Sequence, residues 1–183
     1  MSIVSNIRSY FFKNHLEKKL SKIKLNRSSI EFDVAGSIGI LFDATDAINR
    51  TKVMDYAQNL IKNGKKVTLF GFVKGKQKDL SFPFKFFTFN EVNWKMIPES
   101  TDVNQFINKK FDILISLYLG KNNPIEYISA LSNANFRVGP FSENTNSFDL
   151  IIDTQIDTDL EHLIKQVNFF LNKINSPVYG EAV

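Results

Sequence analysis

Apolar, β-branched runs alternate along this chain with segments whose apolar residues recur at helical spacing, and the strand-like runs are continuous rather than alternating in polarity. These two observations predict an α/β fold in which a mostly parallel sheet is covered by helices on both faces, a three-layer sandwich. A third concerns charge. Residues 1 to 28 carry Arg8, Lys13, Lys18, Lys19, Lys22, Lys24 and Arg27 against Glu17 alone, a net of +6 in a chain whose total is +4. A basic amphipathic arm, residues 1–28, is therefore expected to lead into one near-neutral domain, residues 29–183.

The elements follow in order. Ser37-Ile-Gly-Ile-Leu-Phe-Asp43 is an apolar run closed by an acidic residue, and Val53, Ala57, Leu60 and Ile61 then recur at helical spacing. Asn63-Gly64 stops that helix, and Lys66 to Val73 reads as a β-branched, aromatic strand. Strand, helix, strand in so short a span suits a right-handed parallel crossover. Lys74-Gly-Lys-Gln-Lys78 reads as a loop, Phe84 to Phe89 as a strand, and Pro98 to Asp102 as the start of a helix capped by Thr101 or Asp102 and ending near Lys109. Asp112 to Tyr118 is the clearest buried strand. Pro124 opens a helix through Ile128 and Leu131, followed by a strand from Phe136 to Gly139. Phe148 to Asp153 gives the last strand. The closing helix, capped by Asp157 or Thr158, carries Leu160, Leu163, Ile164, Val167, Phe170, Leu171 and Ile174 on one stripe. The whole reads as a Rossmann-like sandwich.

Within the arm, at about 100° per residue, Phe12, Leu16, Leu20 and Ile23 share one stripe while Ile3, Ile7, Tyr10 and Phe11 project from nearly the opposite side. One straight helix cannot bury both stripes against one surface. Either it bends near Lys13-Asn14, or the Leu16 stripe packs on the body and the other is left for a partner. The partner-binding candidates are Ile7, Arg8, Tyr10, Phe11, Lys18, Lys19 and Lys22. The surfaces that fit them are an anionic membrane interface, the phosphates of RNA or DNA, or an acidic groove on a protein. The opposing reading covers both stripes intramolecularly and leaves the lysines as a solvated face.

Composition narrows the classes. The chain has 183 residues, of which 43% are hydrophobic, enough for a real core. The 18 phenylalanines fall mainly in the predicted strands and amphipathic helices and read as core packing. Without cysteine there is no disulfide, thiolate metal site or cysteine nucleophile, and a reducing compartment fits. No run approaches the ~20 apolar residues of a membrane span, and lysines interrupt the region where a secretory signal keeps its apolar core. The expected location is cytoplasmic, peripheral to the inner membrane if the arm meets lipid.

In open parallel sheets ligands collect beyond the carboxyl ends of the strands, which nominates Asp43 to Asp46, Phe72 to Gly75, Leu119 to Asn123, Gly139-Pro140 and Asp153-Thr154. Asp43, Asp46 and Asp153 together suit a hard cation, and Lys121 a phosphate, the parts of a small phosphoryl-transfer or sugar-directed enzyme. The same carboxylates equally suit helix capping, and the expectation is of no bound metal and no cofactor. The loop after the first strand has no glycine to admit a phosphate, which argues against NAD, FAD or ATP. His15 and His162, the only histidines, read as surface or packing residues.

Two resemblances bear on these expectations. Phe111-Asp-Ile-Leu-Ile-Ser-Leu117, Tyr127-Ile-Ser-Ala-Leu-Ser132 and Asn135-Phe-Arg-Val-Gly-Pro140 are similar to a strand, helix and strand in the N-terminal domain of heptosyltransferase-like glycosyltransferases, which implies fold and not activity. Gly39-Ile-Leu-Phe-Asp43, Gly64 to Val73, Asn93-Trp94 through Pro98, and Phe136 to Pro140 look like a family of small uncharacterised Bacteroidota proteins, a domain of unknown function. In that light Trp94 and Arg137 stand out; we expect Trp94 to be buried and Arg137 to be salt-bridged. The leading expectation is a non-catalytic interaction module that uses its arm, with the small enzyme as the alternative.

Overall fold

The computed structural model describes residues 3–24, 27–28, 31–75, 81–142, 147–153 and 159–174. Its elements are α1 (Ile3–Leu20), β1 (Ser37–Asp43), α2 (Ala47–Lys62), β2 (Lys66–Val73), β3 (Lys85–Thr88), α3 (Thr101–Asn108), β4 (Ile113–Leu117), α4 (Asn123–Leu131), β5 (Phe136–Pro140), β6 (Leu150–Ile152) and α5 (Leu160–Lys173). The six strands form one all-parallel sheet in the order β3-β2-β1-β4-β5-β6. The chain thus steps outward from β1 through β2 to β3, returns to pair β4 with the free side of β1, and steps outward again.

Side-chain alternation along the central strands sorts the core into two halves. Ile38, Ile40 and Phe42 of β1 and Ile113, Ile115 and Leu117 of β4 meet α2 and α5. Leu41, Phe70, Phe72 and Leu114 meet α3 and α4 on the other face. Both faces are buried, which is why these strands read as unbroken apolar runs.

The return of β4 to β1 is secured at its start by one carboxylate. Asp112 Oδ2 accepts from the Gly36 N–H at 2.9 Å, the Ser37 N–H at 2.8 Å and the Ser37 hydroxyl at 3.0 Å. In return the Asp112 N–H donates to the Ser37 carbonyl at 2.9 Å. Partial burial works against the charged carboxylate, but the hydrogen bonds from Ser37 and Gly36, with the charge of Lys65, outweigh it and hold its pKa below the ordinary value.

The helices are capped by short polar side chains: Asp46 for α2, Ser100 for α3, Asn122 for α4 and Asp159 for α5. Ser100, not Thr101 or Asp102, caps α3, because its extended backbone lets Oγ turn back to the Val103 N–H. Asp159 caps α5 in the same way; Asp157 and Thr158 lie outside the described residues.

A fourth layer lies outside the sandwich. α1 is one unbroken helix of 18 residues, so of the two alternatives the bend near Lys13-Asn14 is absent and the Leu16 stripe packs on the body. Its Phe12 and Leu16 are buried with Ile97, Tyr127, Ala130 and Leu131, while Ile7, Tyr10 and Phe11 stay on the outside. Just beyond, Arg27 donates to the Ala134 and Ala130 carbonyls. Burial, and then the charge of Arg137, push Arg27 down to about 10.

Two substitutions test this packing. A Cβ on Gly139 would run into the Phe148 ring, so Gly139→Ala is expected to cost about 1–3 kcal/mol by overpacking, read as a lower unfolding midpoint; an unchanged midpoint would contradict the close approach. Asp112→Asn should cost about 1–3 kcal/mol at neutral pH. Because the folded carboxylate titrates below the unfolded one, its contribution is complete above the ordinary value of 3.8 and vanishes as pH falls through the folded value. Urea unfolding should therefore show wild type and Asp112→Asn converging in acid.

Candidate functional site

Between β1 and β4 the crossovers leave in opposite directions, and the carboxyl ends of these strands frame a crevice of about 250 Å³, the usual ligand position in an open parallel sheet. Asp43, Asp46, Lys74, Tyr118 and Leu119 line it. The half-buried Asp43 uses Oδ1 to accept from the Thr45 N–H at 3.1 Å. Its Oδ2 lies 2.6 Å from Lys74 Nζ and accepts from Asn122 Nδ2 at 3.3 Å. Asp46 Oδ1 accepts from the Asn49 N–H at 2.9 Å as the α2 cap. A carboxylate therefore occupies the helix N-terminus where a dinucleotide would place its phosphates, and would repel them.

The four sequence-nominated catalytic residues do not converge. Asp43 and Asp46 share the crevice. Lys121 lines a neighbouring cleft of about 770 Å³, where its Nζ is 3.5 Å from Ser9 Oγ of α1. Asp153 follows β6, three strands from β1 in the sheet order, roughly 14 Å at ordinary strand spacing. Among the described residues no group of three or more His, Asp or Glu side chains is placed to hold a metal ion.

Of the partner-binding candidates, Ile7, Tyr10 and Phe11 are brought together, while Lys18, Lys19 and Lys22 lie about two to three turns further along. On the outer face of α1, Ile7, Tyr10 and Phe11 are 47%, 64% and 40% exposed, with Arg8, Lys18 and Lys19 exposed on the same helix and Lys22 just past its end. Trp94, expected to be buried, is 56% exposed and its ring meets Phe11 edge to face at 5.3 Å. The cause is a tight turn. Asn93 Oδ1 accepts from the N–H groups of Lys95 and Ile97, its backbone bonds to both Ile97 and Met96, and Met96 takes a left-handed φ of 64°. This loop buries Ile97 beneath α1 and holds Trp94 outward. Lys95 Nζ sits 5.4 Å from the Trp94 ring and 6.0 Å from that of Phe11.

The family designated DUF6913, a family of unknown function, matches residues 8–174. The chain belongs to this family. The matched span opens within α1 and closes just after α5, so most of α1 lies inside the DUF6913 region. No curated protein and no solved structure matches the chain.

Arg137, singled out with Trp94, is salt-bridged as expected: Nε and Nη2 each reach an Asp149 oxygen, at 2.9 and 2.8 Å, and Nη1 donates to the Ala130 carbonyl at 3.2 Å. His15 packs beside Tyr127, with Nε2 3.4 Å from its hydroxyl. Burial, with the charges of Lys19 and Lys95, pushes this imidazole below its ordinary 6.5. Trp94 was marked in the sequence only by the family resemblance, and its outward placement had no signal beyond a turn-forming Asn93.

The two stripes of α1 are separable by stability. Leu16→Ala is expected to destabilise by about 2–5 kcal/mol as a buried truncation, and Tyr10→Ser by no more than about 0.5 kcal/mol as a surface one. Chemical unfolding of both variants checks this; equal costs would show that α1 is not docked by its Leu16 stripe.

Proposed function

We propose that this DUF6913 chain is a non-catalytic α/β module of a Bacteroidota cell that sits on an anionic membrane surface, at the cytoplasmic side of the inner membrane, through the outer face of α1. The observation that carries the reading is the exposed cluster of Ile7, Tyr10, Phe11 and Trp94 with Lys95 against its rings, on a helix that also exposes Arg8, Lys18 and Lys19, with Lys22 just past its end. The opposite stripe of α1 is covered by α4 and Ile97, so intramolecular packing leaves this face available. Amphipathic helices that lie in the lipid interface combine aromatic and aliphatic side chains with a basic flank in this way. Each Lys or Arg near an anionic leaflet adds on the order of 1 kcal/mol.

The ring geometry favours lipid over RNA. Tyr10 and Phe11 pack edge to face, as do Phe11 and Trp94, with interplanar angles of 76° and 68°. The rings thereby form one continuous apolar surface, whereas single-stranded nucleic acid is held by free ring faces on which bases stack. The crevice carboxylates support the non-catalytic part: Asp46 is spent on capping and Asp43 on an ion pair and an Asx turn.

Co-sedimentation of the full chain with phosphatidylglycerol-containing vesicles, and separately with bulk RNA, tests the proposal across ~50 to 300 mM salt. The expected result is vesicle binding that salt weakens and that the double variant Tyr10→Ser, Phe11→Ser lowers at least about tenfold, since two partly buried rings contribute well over 1.4 kcal/mol. Binding to RNA alone, or vesicle binding unchanged in the double variant, would contradict it.

A further inference from the structure

The larger cleft lies between α1, the carboxyl end of β2 and the loop from β4 to α4, and of its lining the membrane-surface reading uses only Arg8. Three cations from three separate segments line it, Arg8 of α1, Lys74 after β2 and Lys121 after β4. Phe72, Phe89 and Met96 supply an apolar wall. Lys121 reaches Ser9 of α1, and Lys74 is tied to Asp43 in the adjoining crevice.

The second, independent observation is Asn123, the first residue of α4. It lines the cleft, is 7% exposed, and its Oδ1 accepts no hydrogen bond from the described residues. A buried amide oxygen without a donor is costly, and a ligand hydroxyl or N–H relieves that cost. The α4 N-terminus itself offers little to an anion, because Pro124 has no N–H and the Ile125 N–H faces Asn122 Oδ1 at 3.4 Å. Recognition of negative charge therefore falls to the cationic side chains.

We propose that this cleft binds a hydroxyl-bearing phosphate ester of glycerol phosphate chemistry, with the phosphate at Arg8, Lys74 and Lys121 and the hydroxyl donating to Asn123 Oδ1. Such a group occurs both as a free metabolite and as the headgroup of phosphatidylglycerol. A phosphate takes charge-assisted hydrogen bonds from all three cations, the hydroxyl supplies a donor to Asn123 Oδ1, and the apolar wall accommodates the carbon skeleton.

The test is calorimetric titration of the full chain with glycerol 3-phosphate, inorganic phosphate and glycerol, alongside co-sedimentation with vesicles carrying phosphatidylglycerol or phosphatidylserine. Glycerol 3-phosphate is expected to bind more tightly than phosphate or glycerol. Lys121→Ala should weaken it about tenfold, the scale of one charge-assisted bond. Asn123→Ala should remove the preference for the ester over inorganic phosphate, and Lys62→Ala should change nothing. Binding of the soluble ester with these dependences establishes a free metabolite as the source. Preference for phosphatidylglycerol vesicles that depends on Lys121 and Asn123, without binding of the soluble ester, establishes the lipid headgroup. Absence of binding in both formats, or binding indifferent to Lys121→Ala, overturns the proposal. Lys121 is exposed, so its variant keeps the test valid even if Asn123→Ala unfolds the chain. The Tyr10→Ser, Phe11→Ser variant should retain ester binding, which separates failure of the cleft from failure of the membrane face.

Discussion

When the chain leaves α3 it places β4 against the free side of β1, and the features described above rest on that reversal. Asp112 secures it by gathering two N–H groups and a hydroxyl from Gly36 and Ser37. Three consequences follow from this pairing. The crossovers leave in opposite directions and frame the crevice at Asp43. The loop after β4 carries Lys121, Asn122 and Asn123 to the same edge. And α4 is set down on the sheet with all nine of its residues buried, because Ile125 and Ile128 face the strands while Tyr127, Ala130 and Leu131 face α1. A helix apolar on both sides requires a second cover, and the Leu16 stripe of α1 supplies it.

Burying α4 on both sides also creates a polar problem that local side chains resolve. Its last carbonyls cannot reach water, and guanidinium groups from two directions meet them, Arg137 from β5 and Arg27 from the segment after α1. Arg137 is itself neutralised by Asp149. Ser116 and Ser129 bond to each other at 2.7 Å between β4 and α4, and the Tyr118 hydroxyl donates to the buried Glu126 at 3.3 Å. These pairs fix where α4 lies on the sheet. They thereby fix where α1, docked on α4, presents its outer face.

The strands and helices themselves were legible because burial on both faces leaves a continuous apolar signature at Ile38 to Phe42 and Ile113 to Leu117, and a one-sided helix leaves a stripe such as Leu160, Leu163, Val167 and Leu171. Strand order was not, since nothing local in Asp112 to Leu117 says that β4 pairs with β1 instead of β3. That gap is why Asp153 groups with Asp43 and Asp46 in the sequence: Asp43 and Asp153 close strands and Asp46 follows one, and only the sheet order separates them. Trp94 was misjudged for a different reason. Large aromatics are usually buried, but the turn built on Asn93, with Met96 in a left-handed conformation, aims it outward next to Phe11. On α1 the two stripes were readable, and the unbroken helix with Phe12 and Leu16 in the core decides which one is left outside.

α1 is a docked part of the fold, with its Phe12 and Leu16 face covered and the Tyr10 and Phe11 face exposed. Amide hydrogen exchange on the full chain measures this without any ligand. Docking on α4 predicts that amides over residues 8 to 20 exchange as slowly as those of α4, because opening them requires pulling Phe12 and Leu16 out of the core. Exchange across that segment at the rate of an open chain, with α4 still protected, would show that α1 is detached and that its apolar face is not organised by the body.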